Sequence, residues 1–357
     1  MDGFDDLQYP STDDPPKHDF QPGDARDLPV DDNSVDLIIT SPPYFQKRDY
    51  GLADQIGQES TPEEYISSLM ECLDEWERVL RDTGSIFLNV GDKYKNRSRM
   101  GIPWKLVQKA RERHWRVRNE IIWHKPNGVP TSAQNRFTGR HETIFYLTPP
   151  NTDYYFDKYG YKNRYEDPID VWKIPHDQND THLAPYPSEL VERCLVAACP
   201  PAVCSNCGKP RERILEKSLT ELNPDRYQSK RAMDIYEASD LTEEHIEAVR
   251  ATGISDAGKG KEVQNGSGKN ASNTEELAAQ AKEVLGGYFR EFTFSQVKTT
   301  AGWSECDCNS RTVPGRVLDP FCGSGTTVDV AAELGLSGIG VDLDPPERDN
   351  TVSAPNK

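Results

Sequence analysis

The sequence predicts an α/β fold, a mostly parallel, doubly wound sheet with helices packed on its faces. Three observations predict it. Apolar runs of strand length at 35–40, 84–90 and 338–341 alternate with stretches of helical periodicity. A glycine turn, Gly323-Ser324-Gly325, sits between a short strand at 316–318 and a helix, where such sheets hold their ligands. A chain of 357 residues is long enough to bury this core, in one or two domains.

In chain order, residues 1–34 are rich in Asp and Pro and suggest an arm or irregular lead-in. Val35-Asp-Leu-Ile-Ile-Thr40 is a strand that runs into Ser41-Pro42-Pro43-Tyr44, and 45–60 is a polar loop. Thr61 is placed as an N-cap, with Pro62 at the first helical position and Glu64 completing a capping box. That helix runs to about Arg81, with Tyr65, Leu69, Leu73, Trp76 and Leu80 on one face. A strand at 84–90, a helix from 103 to about 114, and strands at 117–123 and 142–147 follow. Residues 149–175 are aromatic and polar without a period, and Pro187-Ser188 opens a helix through Cys199. The stretch 209–300 is the least legible. Its middle, 253–275, has the composition of a flexible loop, and 275–285 can form a helix. A strand at 316–318, a helix at 326–334 and a strand at 338–341 complete the pattern before a tail at 347–357.

The charge cuts against a nucleic-acid partner at first sight. Asp and Glu number 59 and Lys and Arg 42, for a net charge of -17, whereas nucleic-acid binders carry a basic face. Either the basic residues cluster locally, or the host is a high-salt, haloarchaeal cell in which acidic surfaces stay hydrated. A local cluster exists: Lys93, Lys95, Arg97, Arg99, Lys105, Lys109, Arg111, Arg113, Arg116 and Arg118, with Asp92 and Glu112 as the acids among them. It is the candidate phosphate-contacting face, set against the plainer reading of a solvated helix face. No apolar run reaches membrane-spanning length, mean hydropathy is -0.77, and the acidic first residues are unlike a signal peptide, so a cytoplasmic protein away from membranes is expected.

Two motifs carry the chemistry. Asp319-Pro-Phe-Cys-Gly-Ser-Gly-Thr-Thr327 resembles the S-adenosylmethionine (SAM) loop of DNA amino-methyltransferases, and Thr40-Ser-Pro-Pro-Tyr44 resembles their catalytic loop. Here the catalytic loop precedes the SAM loop, which matches the permuted branch called the β class. The resemblance covers roughly 24–200 and 311–346. It implies a permuted SAM-methyltransferase sheet whose catalytic half is 35–200 and whose SAM half is 311–346, with an insertion at 201–310. A glycine loop alone would equally fit NAD, FAD or a structural turn.

The resemblance also implies roles. Ser41 Oγ and the Pro42 carbonyl would accept the two amine protons of a target base, freeing its lone pair for in-line attack on the sulfonium methyl. Pro43 would stiffen the loop, and Tyr44 would stack on a flipped base. Thr40, Asp319, Phe321, Gly323, Ser324, Gly325, Thr326 and Asp342 are the candidate SAM residues, with Asp342 accepting from the ribose hydroxyls. Residues 121–127, 136–138 and 141–142 look like target-base pocket segments, and 182–187 like the segment closing over the cofactor's methionine end. Ser at the first motif position is common among enzymes that make N4-methylcytosine. N6-adenine, RNA amines, and a non-catalytic nucleic-acid binder are the alternatives. Double-stranded DNA is the expected partner, with a cognate restriction endonuclease or a solitary genome-marking role behind it. The short palindrome CTAG is a guess at the target, and 150–180 or the insertion is the candidate target-reading segment.

Cysteines remain. Cys204-Ser-Asn-Cys207 resembles a zinc-ribbon knuckle, and Cys306-Asp-Cys308 would complete four thiolates for a structural zinc that staples the insertion. Free buried thiols and a redox or disulfide pair are the competing readings. Cys72, Cys194, Cys199 and Cys322 are assigned to packing.

Overall fold

The computed structural model describes residues 7–52, 54–128, 134–150, 153–165, 167–176, 186–219, 222, 226–252, 274–294 and 296–347. The chain divides into two compact units, Met1–Arg213 with Trp303–Lys357, and Ile214–Gly302. The elements in order are β1 (His18–Pro22), β2 (Val35–Thr40), α1 (Pro62–Val79), β3 (Leu80–Val90), β4 (Tyr94–Lys95), β5 (Ser98–Arg99) and α2 (Ile102–Glu112). Next come β6 (Arg116–His124), β7 (His141–Thr148), α3 (Lys158–Tyr165), β8 (Val171–Lys173), α4 (Ser188–Ala198), β9 (Ala202–Cys204) and β10 (Arg213–Leu219). The remainder is α5 (Tyr227–Glu237), α6 (Glu243–Thr252), α7 (Thr274–Leu285), α8 (Phe289–Phe294), β11 (Gln296–Trp303), β12 (Thr312–Pro314), β13 (Arg316–Asp319), α9 (Thr326–Glu333) and β14 (Ser337–Asp342).

Eight strands form the central sheet in the order β1-β14-β13-β2-β3-β7-β6-β8. The pairs from β1 through β3 are parallel, β7 runs antiparallel to both β3 and β6, and β8 rejoins β6 in parallel. Late strands β13 and β14 therefore lie between early strands β1 and β2. That interleaving places the turns after β2 and β13 side by side at the carboxyl end of the sheet.

The sheet buries both faces, as the apolar runs of β2 and β3 require. All six residues of β2 are buried. Ile38, Ile86 and Leu88 point to one face with Leu69, Leu73 and Trp76 of α1; Leu37, Ile39 and Phe87 point to the other with Val191 and Leu195 of α4 and Val330 of α9. The α1 capping box forms as the sequence predicts: Glu64 N–H donates to Thr61 Oγ1 at 3.2 Å, and the Glu64 carboxylate accepts from Thr61 N–H. Trp76 is fully buried and donates its indole N–H to the Ala25 carbonyl at 3.1 Å, anchoring the lead-in to α1.

Some expectations change. The arm expected at 1–34 instead supplies β1, whose Phe20 pairs with Gly340, while Leu7, Ala25, Leu28 and Val30 are buried. The insertion expected at 201–310 is narrower, because 201–213 and 303–310 belong to the first unit. The second unit has its own core of Ala232, Ile246, Val249, Ala281, Leu285 and Phe292 on α5 to α8. The flexible loop read at 253–275 falls almost wholly outside the described residues, as do 182–185 of the cofactor-closing segment read at 182–187. No helix among the described residues is long and apolar enough to cross a membrane.

Candidate active site and thiol cluster

Both motif loops line one cleft of about 670 Å³. Ser41, Pro42, Pro43 and Tyr44 come from the end of β2, while Asp319, Phe321, Gly323, Ser324 and Thr326 come from the turn after β13, and Asp342 from the end of β14. Thr40 and Gly325, both read as cofactor residues, do not line the cleft. Thr40 is buried behind it, and Gly325 precedes α9 in a left-handed conformation (φ 91°) that glycine adopts without strain.

Asp319 joins the two loops. Its Oδ1 accepts from Thr40 Oγ1 at 2.9 Å and Phe321 N–H at 3.2 Å; its Oδ2 accepts from Thr327 Oγ1 at 2.7 Å and Tyr186 Oη at 2.5 Å. Burial pushes this carboxyl above the usual range, and the donors from Tyr186, Thr327, Thr40 and Phe321 pull it back. Four protein donors thus meet a carboxylate with about four acceptor sites, so Asp319 holds the loops in place more than it offers itself to a ligand. Asp342 keeps more capacity. Its Oδ2 accepts from Gly323 N–H at 2.9 Å and its Oδ1 from Asp344 N–H at 3.2 Å, one donor on each oxygen.

A second polar network lies across the cleft from the SAM-loop turn. Tyr44 Oη donates to Glu142 Oε2 at 2.7 Å, and Asn89 Nδ2 donates to both, at 3.0 Å to Tyr44 Oη and 3.1 Å to Glu142. Lys125 Nζ stands 2.5 Å from Glu142 Oε1 and 4.1 Å from the centroid of the Trp123 ring. Burial raises Glu142, but the Lys125 charge and the donors from Lys125, Tyr44 and Asn89 outweigh it and hold its pKa below the ordinary value. Burial lowers Lys125, partly offset by Glu142. Burial and the neighbouring Glu142 carboxylate push the Tyr44 phenol well up, so it stays a neutral donor. The Tyr44 ring abuts Gly91, where a Cβ would stand 2.3 Å from Tyr44 Cε2, and Lys47 Nζ lies 4.6 Å from the ring centroid. Position 91 must therefore stay glycine for the ring to sit there.

Sequence reasoning placed the segments of Lys125 and Glu142 at the base pocket but singled out neither residue, nor Asn89 and Tyr186. The available signal was polarity: Asn89 is a buried polar residue in the apolar run of β3, and Glu142 is a partly buried carboxylate at the head of the apolar run of β7.

The basic cluster spreads over the β4–β5 hairpin, turned by Asn96 and Arg97 in left-handed conformations, over α2, and over the start of β6, which carries Arg116 and Arg118. Several of its charges are already paired, Arg99 with Asp92, Lys105 with Glu63, Lys109 with Glu112 and Arg113 with Asp74. Lys95, Arg97, Arg111 and Arg116 are exposed. The patch is thus less basic than its sequence count suggests.

The four predicted thiols converge. The Sγ atoms of Cys204, Cys207, Cys306 and Cys308 all lie within 4.8 Å of one another. Cys72, Cys194, Cys199 and Cys322 are buried elsewhere.

Comparison with known proteins bears on the family and the fold. A family model described as DNA methylase matches residues 35–204 and 310–351. The Type II methyltransferase M.MwoI of Methanothermobacter wolfeii is 39% identical over 171 residues, which is 46% of this chain but only 24% of that protein's length. M.Cfr9I of Citrobacter freundii is 34% identical over 221 residues, covering 50% of this chain and 72% of the relative, and M.SmaI of Serratia marcescens is 33% identical over 218 residues, covering 50% and 74%. Among solved structures, the PvuII DNA methyltransferase (cytosine-N4-specific) superposes with a TM-score of 0.52 over 96% of this chain and 93% of that one, at 14% identity, a likeness of fold.

Proposed function

The chain belongs to the DNA methylase family of SAM-dependent amino-methyltransferases, and from that premise we propose that it methylates the N4 amine of cytosine in duplex DNA. The observation that carries the proposal is the single cleft lined by both motif loops, which Asp319 and Thr40 join.

When bound, SAM supplies an electrophilic methyl on a sulfonium. The chain's own residues would do the rest. Asp342 and the backbone around Gly323 would take the adenosine end, and Phe321 would give it an apolar wall. The amine of a flipped base would lie against Ser41 Oγ and the Pro42 carbonyl, which accept its protons and turn its lone pair toward the methyl. Ser41 Oγ and the Pro42 carbonyl would hold the two amine protons during transfer, and the one that is lost would pass to solvent, since neither acceptor is basic enough to keep it. The Glu142–Lys125–Asn89 network would hold Tyr44 in place beside the base. Ser41 at the head of its motif supports cytosine over adenine. The Type II methyltransferase names of the relatives support a restriction–modification role in the cytoplasm, beside a nuclease of the same specificity. The exposed Lys95, Arg97, Arg111 and Arg116 would meet phosphates. A structural zinc on the four thiols is a further element of the reading and stands apart from methyl transfer.

The test is to incubate the purified chain with SAM and undermethylated genomic DNA in high salt, then analyse the digested nucleosides by mass spectrometry. N4-methylcytosine is the expected product. N6-methyladenine would overturn the choice of base, and no methylated nucleoside despite SAM binding would overturn the DNA substrate.

A further inference from the structure

We propose that Cys204, Cys207, Cys306 and Cys308 hold a zinc ion that clamps the amino-terminal ends of the strands carrying both functional loops. A zinc with four thiolates at about 2.3 Å places its sulfurs roughly 3.8 Å apart. The observed spread, all within 4.8 Å, needs only a small contraction to reach that. Four sulfurs mutually in reach, with no oxygen or nitrogen ligand in the group, is a donor set for a borderline-soft ion. Four protein ligands also fill a tetrahedral shell, so the site is closed and structural.

The backbone is built for it. Cys204 N–H donates to the Lys209 carbonyl at 3.0 Å and Gly208 N–H to the Cys204 carbonyl at 2.9 Å, closing a tight turn around the first pair. Gly208 takes a left-handed conformation (φ 69°), which glycine adopts freely. β9 pairs antiparallel with β12, Cys204 opposite Thr312, which seats the turn beside the strand leading into β13.

The clamp reaches the catalytic strands through one partly buried ion pair. The turn lies against Arg81, so that a Cβ on Gly208 would stand 2.8 Å from Arg81 Nε. Arg81 Nη1 donates to Asp36 Oδ1 at 2.7 Å, and Asp36 Oδ2 accepts from Arg316 N–H at 2.8 Å. Asp36 is 1% exposed. One carboxylate thus ties β2, β3 and β13 together at the ends opposite the cleft, and the thiol turn backs its partner. The two cysteine pairs also bracket the second unit, since all of Ile214–Gly302 lies between Cys207 and Cys306, so the ion would close a long loop and restrict the unfolded chain. The family match ends at Cys204 and resumes at 310, which leaves three of the four thiols outside it.

The experiment uses the full chain purified without chelator or added metal. Elemental analysis should find about one zinc per chain, released by a mercurial thiol reagent. Replacement by Co(II) should give the intense sulfur-to-cobalt absorption of a four-thiolate site, and chelation should lower Tm by about 5 °C or more. Cys207→Ser should lose the zinc. Because that variant can fail to fold, the Co(II) spectrum of the unaltered chain decides independently. Zinc far below stoichiometry with four freely titrating thiols, a Co(II) spectrum without thiolate bands, or full zinc retention in Cys207→Ser would each overturn the site. An unchanged Tm on chelation would overturn the clamp. None of these readouts depends on which base is methylated.

Discussion

Thr40 Oγ1 donates to Asp319 Oδ1 at 2.9 Å, across 279 positions of sequence. Both residues are buried, and each ends one of two adjacent parallel strands, so this bond fixes the catalytic loop relative to the SAM loop. Thr40→Val keeps the side-chain shape and removes the donor. It should destabilise the fold by about 1–3 kcal/mol, because a buried carboxylate loses one of its partners. SAM affinity should fall with it, measured by calorimetry beside thermal unfolding. If both stay at wild-type values, the bond is not what holds the loops together.

Ser41→Ala separates binding from chemistry. Ser41 Oγ lies 3.4 Å from both Tyr44 Oη and Asn89 Nδ2, too far for strong hydrogen bonds, which leaves it available to a substrate amine. Turnover should drop roughly a hundred- to a thousandfold, with SAM affinity unchanged. Full activity in single-turnover assays would remove Ser41 from the proposed mechanism.

Glu142 makes a pH prediction. Its folded pKa is held below the ordinary 4.5. A depressed carboxyl adds stability above the unfolded value and loses it as pH falls through the folded value. The stability difference between wild type and Glu142→Gln should therefore be widest near neutral pH and shrink below about 4.5. Asp319 and Asp36, both raised by burial, have the opposite slope but are common to the two proteins and cancel. A difference that grows toward acid in urea titrations would show that Glu142 is not held ionised.

Gly315 permits a backbone contact. A Cβ there would stand 1.9 Å from the Pro200 carbonyl oxygen, and a carbonyl cannot swing aside as a side chain can. Gly315→Ala should destabilise by about 1–3 kcal/mol or more. Gly287→Ala, where a Cβ meets nothing within 4 Å, is the control and should be near neutral. Equal urea midpoints for the two variants would show that the β13 entry tolerates the shift.

What the sequence determined by itself is local. The Thr61–Glu64 capping box, the Pro-Pro turn after a buried strand and the Gly-x-Gly turn before α9 each act over a few residues, so their chemistry was legible without a fold. The central strands announced themselves because both of their faces are buried. β1 did not, because it lies on the sheet edge with its residues half-exposed and carries no apolar run. The helices α5 and α6 were missed for a similar reason, since each presents only a narrow apolar face to a small core. Only the tertiary structure decided that Asp319 is occupied by Thr40, Thr327, Tyr186 and Phe321, that Tyr44 rests on Glu142 and Asn89, and that the two cysteine pairs meet. The Asp319–Thr40 contact depends on β13 lying beside β2, the Tyr44 contacts on β3 lying between β2 and β7, and the meeting of the cysteine pairs on β9 pairing with β12. Side-chain periodicity says which face of a strand is buried, but not which strand becomes its neighbour.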